Sequence, residues 1–433
     1  MCSRCRLSAR AHGARRSGMP HPTTPTPDLL PATLMFVATS LALIGNYYVY
    51  DSIGPVADLL ARQLGFSDTQ IGTLNAIYSV PNLVMVLVGG VLVDRYSART
   101  VTLITTLVCL IGAVTTALGE QFAVMVIGRL LFGLGAETMI VAVTVAFAQW
   151  FIGRYFALLL ALSISVSRMG SYLADRSPSF APELYRQGWQ PPLWLAVGFA
   201  AASVIGGILY WTVDRKESAR GTLALAQPSE RIDWRNLLRF RSEYWYVVGL
   251  CVTFYSVIFP FRSTFAIKYL QHAHGLSLEA ASTMNSYVFL AAVFVTPVFG
   301  LLLDRLGHQA LLLAIGSLAL PLSFITLSNG NEGLWIATVL LGVSFSLVPA
   351  VLWPAVARYV AAEQLGTAYG LMTVLQQAGL VAANFVVGYV NDASGASAAN
   401  PGGYAPMLWL FGALSLAGFV FAALLVIHER RSS

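Results

Sequence analysis

From Leu30 onward the chain alternates between apolar runs of about 20 residues and short polar breaks. Each run is long enough to cross a hydrocarbon core roughly 30 Å thick. Backbone amides in lipid must find partners within their own segment, so the runs predict helices. The alternating pattern of a membrane β-barrel is absent. Twelve spans follow, at residues 30–53, 69–93, 100–119, 122–150, 155–176, 191–213, 244–267, 281–303, 309–328, 333–357, 366–390 and 405–427. The first run is a full-length span with no small-residue cleavage site after it, so no removable signal is expected.

Composition agrees. The 433 residues are 57% hydrophobic and 11% charged, against about 25% charged in soluble domains. Charge placement then sets an orientation. Of 26 Lys and Arg, 19 fall at the two termini and in the even-numbered loops, which places both termini in the cytoplasm. Arg62, Arg176, Arg186 and Lys268 fall in the opposite loops, and Arg129, Arg168 and Arg262 fall within spans. The net charge of +6 is this bias and does not point to nucleic acid. Four cysteines are too few and scattered for a disulfide framework. Cys2 and Cys5 lie in an Arg-rich leader, 1–29, read as disordered, with Met19 as an alternative start. No cofactor or metal site is expected. His272 and His274 read as solvated loop residues, and no histidine falls within an expected span.

The polar segment 214–243 divides the chain into six spans and six, with a short tail at 428–433. The predicted domains are two six-helix bundles, 30–213 and 244–427, joined by a cytoplasmic linker. "GGVLVDRYSART" at 89–100 and "FGLLLDRLGHQA" at 299–310 occupy equivalent loops of the two halves. Gly90, Asp94 and Arg95 recur as Gly300, Asp304 and Arg305, each displaced by 210 residues. Such duplication around a central site is a recurring transporter architecture. In this loop Gly allows close packing. Asp94 can face the positive end of a helix, with the start of span 11 near Gln364–Gly366 as its expected partner. Arg95 and Arg99 tie the loop down. A gate at the cytoplasmic side is the reading.

These loops, with Arg129 and Gly133 in span 4, resemble the major facilitator superfamily. "NYYVYDSIG" (46–54), "YSVPNLV" (78–84), "FGLGAETMIVA" (132–142), "SISVSRMGS" (163–171), "VLWPAVA" (351–357) and "QLGTAYG" (364–370) are similar in order and spacing to its lysosomal dipeptide transporter family, major facilitator superfamily domain-containing protein 1. The resemblance implies an all-α membrane fold of two pseudo-symmetric six-helix bundles, working as a dipeptide uniporter.

A charge inside the bilayer is costly and marks a site by default. Spans 4 and 5 are antiparallel around a turn near Ile152–Gly153. Glu137 and Arg168 each lie about 15 residues from it, so both sit near the midplane, roughly 22 Å deep. An acid and a guanidinium at one depth can hold the two ends of a zwitterion. The resemblance implies the same two roles: Glu137 for the amino terminus and Arg168 for the carboxylate. The alternative is a structural salt bridge between the spans. Tyr78, Trp353, Asn82 and Asn384 are further candidates to line the cavity. Arg129 reads as a conformational or coupling element, and Asp51 either as a structural or gate partner for Arg262, which departs from the family pattern, or as a substrate contact.

The leading expectation is a carrier of small zwitterions, chiefly dipeptides. A proton-coupled carrier of a drug, organic anion or amino acid is the alternative. An enzyme would need clustered nucleophiles or metal ligands, and none stands out. The abundance of Arg over Lys points to a bacterial inner membrane. With no glycosylation sequon and no acidic dileucine signal, neither a lysosomal address nor an accessory subunit is expected.

Overall fold

The computed structural model describes residues 28–151, 156–221, 240–328, 330–361 and 364–432. The leader with Cys2 and Cys5, the turn at Ile152–Gly153 and most of the linker lie outside these residues. Twelve helical columns follow, with no strand among the described residues. Span 1 is Leu29–Asp51 and, after a break at Ser52, Ile53–Leu64. Span 2 is Asp68–Ser79 and Asn82–Tyr96, interrupted around Pro81, whose ring cannot donate a backbone hydrogen bond. Spans 3 to 6 are Ala98–Leu118, Phe122–Trp150, Phe156–Phe180 and Gln190–Arg220. Span 7 joins Ser242–Phe259, a π-helical turn Pro260–Phe265 and Ala266–His274. Spans 8 to 12 are Leu278–Leu306, Gln309–Leu327, Gly333–Tyr359, Leu365–Ala393 and Ala405–Ser432.

By length and hydropathy alone, ten helices among the described residues qualify to cross a membrane, or 11 if the bent span 2 is counted. Span 5 carries Arg168, Asp175 and Arg176. Asp175 and Arg176 find partners in the protein that lipid would not supply, Arg262 and Asn285 for the acid and Thr283 for the arginine.

Three boundaries differ from the hydropathy reading. Spans 1 and 7 continue past residues 53 and 267 to Leu64 and His274, each ending at a glycine in the left-handed region (Gly65 φ 71°, Gly275 φ 67°). These extensions contain Asp58, Arg62, Lys268 and His272, and hydropathy cannot see that such residues are paired. Span 6 likewise runs to Arg220, seven residues beyond its expected end, because Asp214 is buried against Arg99 and Trp150.

Within each half, helices approach closely at glycines. A Cβ on Gly133 would lie 2.2 Å from the Tyr78 carbonyl, and one on Gly170 2.1 Å from that of Ile44. Without a hydrophobic drive between helices in lipid, such contacts carry much of the association. The sequence repeat extends to the backbone. After its Asp-Arg pair, each repeated loop turns at a residue with positive φ, Ser97 at 71° in one half and Gly307 at 66° in the other.

Candidate functional site

The start of span 1 at Leu29, the end of span 12 at Ser432 and the turns at Ser97 and Gly307 lie at one end of the bundle, the termini end; the turns at Gly65 and Gly275 lie at the far end. At mid-depth, Gly133 brings the backbone of span 2 against span 4. One turn later, Tyr78 Oη donates to Glu137 Oε1 at 3.2 Å. Arg168 on span 5 lies over the ring of Tyr47 at 4.7 Å, with Phe345 at 5.5 Å and Phe259 at 5.9 Å. Tyr50 closes the ring, 4.7 Å from Tyr78 and 6.2 Å from Phe259. Glu137 and Arg168 are both half-buried. No ion pair within 4.0 Å joins them among the described residues, and Arg168 Nη1 is buried without a hydrogen-bond partner. The two helices have met without a salt bridge. An acid and a base facing one aromatic chamber can receive a ligand carrying both charges.

Trp353 reaches the chamber indirectly. Its Nε1 donates to Tyr255 Oη at 3.1 Å, and Tyr255 stacks on Phe259 at 5.7 Å. Asn82 is fully buried, with neither amide atom partnered. Asn384 is placed elsewhere than expected. It accepts from Thr264 Oγ1 at 2.8 Å and donates to its own helix at Leu380, so it belongs to the far-end contacts described next.

At the far end the two halves are locked together in layers. Nearest the chamber, Arg262 Nη2 lies 3.0 Å from Asp51 and 3.4 Å from Asp175. Asn285 Nδ2 donates to Asp175 at 3.0 Å. Asn75 Nδ2 donates to Thr264 Oγ1 at 2.7 Å. Above it, Lys268 pairs with Asp68, which also accepts from Asn391, while Asp392 accepts from the backbone amides of Asp68 and Thr69, both at 2.8 Å. Outermost, His272 sits between Asp58 Oδ1 and Tyr404 Oη, each 2.8 Å away. Lys268 and His272 are thus helix residues of the seal, contrary to their reading as loop residues. A histidine does fall within a membrane-spanning helix. The structure is closed at the far end.

Every guanidinium nitrogen of Arg129 has an acceptor. It donates to the carbonyls of Leu74 (3.2 Å), Val49 (3.0 Å) and Tyr50 (3.1 Å) and to Asn75 Oδ1 (2.6 Å). Val49 and Tyr50 immediately precede the break at Ser52, so Arg129 satisfies carbonyls around the interruption of span 1. At the termini end, Arg99 pairs with Asp214 at 3.3 Å within one half, not across halves. Arg95 lies over Tyr96 at 5.4 Å, Gly90 is half-buried, and Asp94 and Arg305 are exposed. Residues 362–363, leading into span 11, and the side chain of Asp304 lie outside the described part.

A sequence profile of the Major Facilitator Superfamily matches residues 39–384 and 261–433. The chain belongs to the major facilitator superfamily. It is 31% identical over 372 residues to the lysosomal dipeptide transporter MFSD1 of Bos taurus, spanning 81% of this chain and 77% of that one. It is 24% identical to the probable sulfoacetate transporter SauU of Cupriavidus necator, over 79% of this chain and 84% of the relative. Its fold matches a point mutant of the nucleoside transporter NupG with a TM-score of 0.71 at 14% identity, covering 90% of this chain and 99% of NupG. The chain is therefore a multi-pass membrane transporter and not an enzyme.

Sequence reasoning missed Asp175, Asn285, Tyr47 and Phe345. Asp175 carried a signal, since it is a further acid in an apolar context. The others look like ordinary helix residues until the halves meet.

Proposed function

We propose that this transporter moves small zwitterions, chiefly dipeptides, by alternating access between its two six-helix bundles. Glu137 receives the amino terminus and Arg168 the carboxylate. The chamber between them is aromatic, suited to varied side chains. The far end faces outward and both termini lie in the cytoplasm of a bacterial inner membrane, following the bias of Lys and Arg. Transport runs down the substrate gradient. The observation that carries this reading is that Glu137 and Arg168 are half-buried around one aromatic chamber, with no ion pair between them and an unpartnered Arg168 Nη1. A buried guanidinium N–H left without an acceptor costs on the order of 1–3 kcal/mol, which a carboxylate ligand would recover.

Binding of a dipeptide, its N-acetyl form and its amide to wild type, Glu137→Gln and Arg168→Met tests the assignment. Wild type should bind only the free dipeptide well. Arg168→Met should cease to distinguish the amide, and Glu137→Gln should cease to distinguish the acetylated form. Equal wild-type affinity for all three ligands would refute end-capture.

A second reading, an organic-anion carrier, is favoured by the 24% identity to a probable sulfoacetate transporter. It needs Arg168 but not Glu137. Retained binding of the N-acetyl dipeptide by wild type would support it.

A further inference from the structure

The innermost layer of the far-end seal places two carboxylates on one guanidinium nitrogen. Asp51, Asp175 and Arg262 are 0%, 1% and 2% exposed, and they come from spans 1, 5 and 7. Asp175 has further support from Asn285 of span 8. Asp51 Oδ2 has no donor at all. Arg262 is pressed against the face of Phe289, its Cζ 3.3 Å from the ring centroid, and its Nε and Nη1 reach no acceptor. The other charges in reach do not neutralise the excess acid directly. Arg129 of span 4 is within electrostatic reach of Asp51, but all its hydrogen bonds go to carbonyls and Asn75. Tyr47, Tyr50 and Tyr185 are neutral neighbours. Lys268 is engaged by Asp68.

We propose that the Asp51–Arg262–Asp175 cluster is a proton-binding site that takes up one proton when the far end closes. Two like charges on one cation in a water-free layer cannot both stay ionised cheaply. Asp51 Oδ2, the carboxylate oxygen without a donor, can seat the proton. Opening hydrates the cluster and releases the proton to the side from which it came. The proton therefore biases the conformational cycle without crossing the membrane, which is compatible with uniport. The closed form binds more protons, so acid favours closure and alkali favours opening, by up to tenfold in the closed-to-open ratio per pH unit for one proton.

The inference needs only the closed seal and two alternating states, not a dipeptide substrate. Spin labels on Gln187→Cys and Glu279→Cys, with the native cysteines replaced, report the far-end separation of purified protein in lipid nanodiscs from pH 5 to pH 9. His272→Gln must be present throughout, because His272 also bridges the halves through Asp58 and is the other ionisable side chain of that seal whose contact could answer to pH. The closed population should rise as pH falls in that background, and the response should flatten in both Asp51→Asn and Asp175→Asn. A distance distribution indifferent to pH, or a pH response surviving both Asn variants, would overturn the proposal. Either result leaves the dipeptide reading standing, and loss of that reading leaves this measurement valid.

Discussion

Arg129 and Arg168 are both membrane-buried arginines lying over aromatic rings, and they are used in opposite ways. Arg129 spends its donors on four acceptors, three of them backbone carbonyls, two of which lie beside the interruption of span 1. Arg168 touches three rings and leaves a buried nitrogen unpartnered. The same contrast separates the regions around them. The far-end seal pairs its charges across the two halves, whereas the chamber keeps its acid and base apart. A guanidinium whose bonds are all made within the protein is architecture. One whose bonds are withheld is available to something that arrives later.

That contrast can be broken experimentally. Arg129→Met should have the largest effect on the fold, since it strands Asn75 and three carbonyls in a water-poor layer. A loss of roughly 3–5 kcal/mol is expected, the usual result of removing one partner from a buried charged network. Thermal unfolding in detergent would show it, and a melting point within a degree of wild type would contradict the architectural role. Arg168→Met should leave thermal stability within about 1 kcal/mol, because no hydrogen bond of its Nη1 is lost, while abolishing the preference for a free carboxylate.

Lys268→Met probes the seal. It removes the cation between Asp68 and the upper layer, so the closed state should lose on the order of 3 kcal/mol. Far-end distance measurements should then show a clearly enlarged open population. An unchanged distribution would mean that the backbone bonds to Asp392 hold the far end alone.

Tyr78→Phe sharpens the comparison at the chamber. It removes only the bond to Glu137, so dipeptide affinity should fall about tenfold, in line with a hydrogen bond to a charged group worth about 1.5 kcal/mol net. Isothermal calorimetry can resolve that. The smallest effect belongs to Arg99→Ala. Its pair with Asp214 lies within one half, and Trp150 Nε1 also holds Asp214 at 2.8 Å. Transport should fall less than twofold, and a large loss would restore Arg99 to the gate between halves.

The sequence by itself determined the twelve spans, the two equivalent loops and the depth of Glu137 and Arg168. Each rests on local properties: apolar length, a direct repeat and distance from a turn. Even the broken rules were partly legible, since Pro81 and Pro260 mark interruptions in their helices. Tertiary structure decided which charges meet. Lys268 and His272 look like loop residues because hydropathy scores a side chain without its partner. Asp68 and Asp58 lie about 200 residues away in sequence, at separations of 200 and 214. Asn384 looked like a ligand and is instead bonded to Thr264, because the π-helical turn of span 7 carries that threonine towards span 11. Pairing across two separately packed bundles leaves no periodic trace in either, so only their docked arrangement could show which polar residues close the far end and which remain for a ligand.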